Sequence, residues 1–159
     1  MGSCRSVFAF QWEYVRSPFF VLKAIELFCD LLSIILCGAG PNLEEGNGRR
    51  GFFLFVCIFA LIITVVLLII CLINLKAMFH REIWHKIEIG WCTFFALFYF
   101  IGSIVIATAG KENGVYAGAA TFGFLALFAY IADGVYQFMQ LRNPPRPEQY
   151  APNQASGNA

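Results

Sequence analysis

The residues best placed to do chemistry are charged groups in apolar surroundings. Lys23, Glu26 and Asp30 lie in a run that is otherwise almost wholly apolar. At roughly 100° per residue they fall within about 60° of one another on a helix. Ser33 and Cys37 extend the same stripe. Lys23 and Glu26, spaced i,i+3, can pair. Asp133 stands in a second apolar run. Charges on a helix within lipid must turn toward protein or water, and each is costly unless paired or protonated. Such a stripe could serve an ion or proton path. Its plainer use is an internal polar cluster that fixes helix packing, with interhelical hydrogen bonds of about 0.6–2 kcal/mol. The packing use is the expectation here, because one short chain has little room for a conduit.

Other reactive groupings are weak. His80, Glu82 and His85 sit together in HREIWH, but the spacing is not that of a His-Glu-x-x-His zinc helix. A basic stretch beside the membrane, in reach of anionic lipid head groups, is the better reading. Six cysteines are present, and Cys29, Cys37, Cys57, Cys71 and Cys92 lie within apolar runs. There, free cysteine behaves as a small hydrophobe. No nucleophile–base pair, phosphate loop or metal-ligand set is apparent, so no enzyme activity, cofactor or metal is expected. No Asn-x-Ser/Thr sequon occurs. The formal charge of +1 implies no nucleic-acid partner.

The elements that hold these residues are membrane spans. Gly51–Leu75, GFFLFVCIFALIITVVLLIICLINL, carries no charge and no proline. About 20 apolar residues cross the hydrocarbon core as a helix, so this run suffices with tilt to spare. The whole chain is 59% hydrophobic, against a usual share of about 45–50%. The spacing predicts four spans, at 19–39, 51–75, 88–110 and 114–139. Gly40–Arg50 is a polar turn, Lys76–Lys86 a basic connector, and Lys111-Glu112-Asn113 a turn so short that its flanking spans must be antiparallel neighbours. Residues 1–18 form an N-terminal segment. Residues 140–159, rich in proline, amides and small residues, read as a disordered tail. Pro144–Pro147 there is a weak PxxP, and Tyr136–Met139 has the form of a tyrosine sorting signal held at the membrane edge.

Basic residues set orientation. With four spans, Arg5, Arg16, Lys23, Lys76, Arg81, Lys86, Arg142 and Arg146 share one side, against Arg49, Arg50 and Lys111. Both termini are therefore expected in the cytosol. Met1, Gly2 and Ser6 fit an N-myristoylation pattern, with Cys4 beside them for a second acyl chain. That pattern needs the same orientation. Small residues gather on the last two spans: Gly102, Gly110, Gly114, Gly118 and Gly123. Gly114 and Gly118 form a GxxxG, which lets backbones approach, either to pack those spans on each other or to build a homo-oligomer face. Packing within the chain is the expectation. Phe94, Phe95, Phe98, Phe100, Phe122, Phe124 and Phe128 would then face lipid.

One family resemblance joins these readings. Tyr14-Val15-Arg16-Ser17-Pro18 followed by Val21-Leu22-Lys23 resembles the approach to span one in MARVEL-domain proteins, in particular the chemokine-like-factor, plasmolipin and MAL group. The Asn74-Leu75 exit from span two and the Ile104–Ala109 exit from span three are similar as well. The resemblance covers about 14–140. It departs in the Gly40–Arg50 loop, which has no cysteine pair, so the loop disulfide of some relatives is absent. It implies an all-α, integral-membrane four-helix bundle whose partners are lipids and other membrane proteins. The implied role is non-enzymatic, in vesicle trafficking, membrane apposition or sorting, at the plasma membrane or in endosomal and vesicle membranes. Two alternatives stand beside it: a small transporter or channel subunit using the Lys23–Glu26–Asp30 stripe, and a structural component of myelin-like or junctional membranes.

Overall fold

A computed structural model of the chain describes residues 18–41, 47–72, 81–111 and 113–143. Those residues form four helices: α1 Pro18–Ala39, α2 Asn47–Leu72, α3 Arg81–Ala109 and α4 Gly114–Arg142. Gly2 and Cys4, with their acylation pattern, and the tail beyond Asn143 lie outside the described residues. At 1.5 Å per residue the helices run from about 33 Å to about 44 Å, against a hydrocarbon core of about 30 Å. Three of them, α2, α3 from Ile83 and α4, are long and apolar enough to cross a membrane.

Two helices begin earlier than the spacing predicts. Asn47–Arg50 belongs to α2 and Arg81–Ile87 to α3, so part of each polar connector is helix. Apolar periodicity marks where a helix enters lipid, not where its hydrogen bonds begin. Charged first turns that stand outside the bilayer leave no hydropathy signal.

The helices neighbour one another in ring order, α1 beside α2, α2 beside α3, α3 beside α4, and α4 back against α1. The α3–α4 seam is the most extensive. Its turn is closed by Gly110 N–H to Ala107 O at 3.0 Å and Asn113 N–H to Ala109 O at 3.2 Å. Asn113 then caps α4: its backbone is extended and its side-chain oxygen accepts from Val115 N–H at 2.9 Å. At the α1–α2 end, Arg50 Nη2 donates to Gly38 O at 2.7 Å, placing a cation on the last carbonyls of α1. Arg49 Nη1 reaches Thr108 Oγ1 at 3.0 Å, near the C-terminus of α3.

The interior is aromatic and small. Phe53, Phe95, Tyr99, Tyr116 and Tyr130 are buried with Ala60, Ala119, Ala126 and several cysteines. Phe95 differs from its expected lipid-facing position. It lies in the core, 5.5 Å from the Tyr130 ring and 5.9 Å from that of Phe59, while Phe94, Phe100 and Phe128 are exposed. Successive residues on a helix diverge by about 100°, so a run of phenylalanines cannot all face one way.

Candidate functional site

α1 carries Lys23, Glu26 and Asp30 in an otherwise apolar run, and the structure turns these charges inward. Lys23, Glu26, Asp30 and Ser33 are at most 1% exposed, while Phe28 on the opposite face is 60% exposed. A water-soluble bundle shows the reverse arrangement. The inward stripe meets α4 and α3, where two polar layers form.

The first layer is ionic. Lys23 Nζ lies 3.0 Å from Glu26 Oε2 on its own helix and 2.6 Å from Asp133 Oδ2 on α4. Asp133 Oδ2 also accepts from Cys92 Sγ of α3 at 3.3 Å, and Asp133 Oδ1 accepts from Gln137 Nε2 at 3.5 Å. Gln137 Oε1 pairs with His85 Nδ1 at 2.7 Å, so the layer reaches a half-buried histidine near the start of α3. Glu88, buried on α3, lies between His85 and Cys92 in sequence. The Gly134 backbone leaves room for this approach, since a Cβ there would sit 3.3 Å from Cys92 Cβ.

The second layer, farther along the bundle, is built on hydroxyls. Tyr99 OH of α3 donates to Asp30 Oδ1 at 2.5 Å, and Tyr130 OH of α4 donates to Asp30 Oδ2 at 2.9 Å. Tyr130 OH is also 2.9 Å from Thr64 Oγ1 of α2. The two tyrosine rings stack at 5.6 Å, so one acid gathers side chains from all four helices. Each Asp30 oxygen thereby has a partner, as a buried carboxyl group requires.

Asp30 and Asp133 therefore occupy separate layers. Lys23 joins Glu26 to Asp133, and Asp30 is held by phenols. Tyr99, Tyr130, Thr64, Cys92 and Gln137 complete the site, and sequence reasoning did not single them out. A metal is a poor fit to the first layer. Ligand atoms of Glu26, Cys92 and Asp133 lie within 4.8 Å of one another, but the Lys23 ammonium already sits against two of them.

The small residues divide as sharply. A Cβ on Gly123 would overlap Ser103 Oγ of α3 and come within 3.0 Å of the Phe53 ring of α2. One on Gly110 would come within 3.1 Å of Ala117 Cβ, and one on Gly102 within 3.2 Å of Phe53. Gly118 faces α1, with Leu36 Cδ1 at 3.5 Å, and Gly114 meets nothing within 4 Å. The close α3–α4 approach thus runs through Gly110, Gly123 and Gly134, not through the GxxxG pair.

A helical bundle with ionisable side chains inside and large apolar side chains outside defines a membrane protein with an internal polar cluster. The family described as MARVEL, a membrane-associating domain, matches residues 14–136, and the chain belongs to that family. No solved structure matches the chain.

Proposed function

We propose that this protein is a non-enzymatic organiser of membranes, acting in vesicle trafficking, membrane apposition or the sorting of other membrane proteins. The observation that carries the reading is the distribution of side chains. Val21, Ile25, Phe28, Leu31 and Ile35 of α1 face outward, as do Phe55, Ile62, Leu97, Phe100, Phe128 and Phe138 of the other helices. Lys23, Glu26, Asp30, Glu88 and Asp133 of the same helices turn inward. Recognition then falls to the apolar outer faces and to the segments outside the bilayer. On this reading α1 is the fourth span, because its charges have partners within the bundle and its outer face is apolar. The excess of Lys and Arg on the side of the termini supports a cytosolic location for both.

Proximity labelling from native membranes tests this. The full chain is compared with a variant in which outward Phe28 and Phe128 are both alanine. Other membrane proteins and vesicle machinery are expected to be enriched around the wild type and reduced around the variant. Wild-type labelling no different from that of an unrelated four-span protein in the same membrane refutes the reading.

The two polar layers favour transport as a second reading. Against it, the column ends at wholly buried Cys37, Phe53, Ile106, Tyr116 and Ala119. Proton or ion flux through the purified chain in liposomes, abolished by Asp30→Asn in a folded variant, would establish transport instead.

A further inference from the structure

Among the described residues, the buried side chains hold more negative than positive formal charge. Among the described residues, the fully buried ionisable acids and bases are Lys23, Glu26, Asp30, Glu88 and Asp133: one ammonium and four carboxyl groups. Two of those carboxyl groups, Glu26 and Asp133, press on the same ammonium at 3.0 and 2.6 Å. Fully ionised, this trio carries a net charge of −1 where lipid surrounds the bundle and water is scarce. Such an excess is normally removed by a bound cation or a proton.

The geometry distinguishes the two acids. Asp133 has three donors: the Lys23 ammonium, the Cys92 thiol and the Gln137 amide. Glu26 is held through Oε2, while its Oε1 is buried and meets no hydrogen-bond donor. An orphan oxygen on an ionised carboxylate is the more costly of the two states. Glu26 is therefore the group on which a proton removes the most unfavourable charge.

We propose that the Lys23–Glu26–Asp133 trio is a proton-binding site, filled from the His85 end of the bundle and closed at the other. A hydronium ion gives its proton to a Glu26 oxygen, an O–H bond forms, water is released, and the trio passes from −1 to neutral. The groups that face the trio are fixed by its neighbours. Asp30 lies beyond it on α1, and Glu88 and Cys92 are on α3. Tyr130 and Gln137 are on α4, and Thr64 on α2 closes the hydroxyl layer. Access runs past Gln137, which bonds both Asp133 and half-buried His85. A carboxamide does not readily pass a proton through itself, so Gln137 acts as the gate and must swing for exchange. On the far side, Ser33 and Ser103 give way to the buried apolar layer of Cys37, Ile106 and Ala119. A proton can thus be held but not passed on, which makes the site a sensor rather than a path. This inference stands apart from the trafficking proposal, since neither needs the other.

Infrared difference spectroscopy on the full chain in lipid nanodiscs tests it. At neutral pH the wild type is expected to show the carbonyl stretch of a buried, protonated carboxyl group, shifting when H2O is replaced by D2O. Glu26→Gln and Asp133→Asn each leave one carboxylate balanced by Lys23. Both are expected to lose that band while keeping helical content. Lys23→Met is expected to gain a second band; should it fail to fold, the first two variants carry the test. Gln137→Ala is expected to exchange deuterium faster. Absence of the band in the wild type, its retention at full intensity in Glu26→Gln, unchanged exchange in Gln137→Ala, or its loss when sodium replaces potassium would each overturn the proposal.

Discussion

Gly123→Ala and Gly118→Ala place the same methyl group five residues apart on one helix, and the structure separates their effects. Each gains helix propensity of about 0.8–1.0 kcal/mol. At Gly118 the new Cβ makes an ordinary contact of 3.5 Å with Leu36 Cδ1, a flexible chain end, so most of that gain survives. At Gly123 it overlaps Ser103 Oγ and lies 3.0 Å from the Phe53 ring. Phe53 cannot easily yield, being wholly buried and set edge-on against Tyr99 at 6.4 Å. Overpacking of this kind costs about 1–3 kcal/mol. Propensity cancels in the comparison, so Gly123→Ala should be less stable than Gly118→Ala by about 1–3 kcal/mol. Reversible unfolding in mixed SDS–detergent micelles, followed by circular dichroism, measures the difference. Ser103 Oγ has no hydrogen-bond partner, so Ser103→Ala should recover part of the loss without a penalty of its own. Equal stability of the two glycine variants would refute the close α3–α4 approach at Gly123.

Tyr130→Phe removes a donor to Asp30 and a partner of Thr64 while keeping the stacked ring. It should destabilise the bundle by roughly 1–2 kcal/mol in the same assay, high for a membrane hydrogen bond because the acceptor is a carboxyl group. Lys23→Met leaves Glu26 and Asp133 facing each other without the ammonium. Removing one partner of a buried ion pair costs about 3–5 kcal/mol, and thermal unfolding in detergent should show a correspondingly large loss. Arg50→Ala frees the Gly38 carbonyl at a half-exposed helix end. Its cost should stay near 0.3–1 kcal/mol and shrink as salt is raised, which unfolding at two ionic strengths would reveal.

The inward face of α1 is legible in its sequence, because only one face of a helix in lipid can carry charge and the spacing of Lys23, Glu26, Asp30 and Ser33 defines it. What that face meets is not legible. Tyr99 and Tyr130 stand in aromatic-rich runs where nothing local separates a lipid-facing ring from a buried one. Their tie to Asp30 depends on the register between helices 69 and 100 residues apart in sequence. α4 posed a further difficulty. It has no distinct apolar face and is rich in small residues, so the GxxxG pair could not be distinguished from Gly123 or Gly134 by pattern. The roles of Arg49 and Arg50 were hidden likewise: a count of charges by side says nothing about which carbonyls an arginine covers.

The Asp30 layer also bears on the order in which the chain is made. On the four-span reading, α1 leaves the ribosome before the other three helices, and the translocon must judge it while its three charges have no partners outside the helix. Tyr130, which completes Asp30, is synthesised 100 residues later. Asp133, which shares Lys23 with Glu26, follows three residues after that. The segment with charges along its length therefore waits longest for its partners, held meanwhile at the translocon or by the uncharged Gly51–Leu72 run of α2 that follows it. On that reading, membrane insertion and tertiary folding become one event, completed only when α4 arrives.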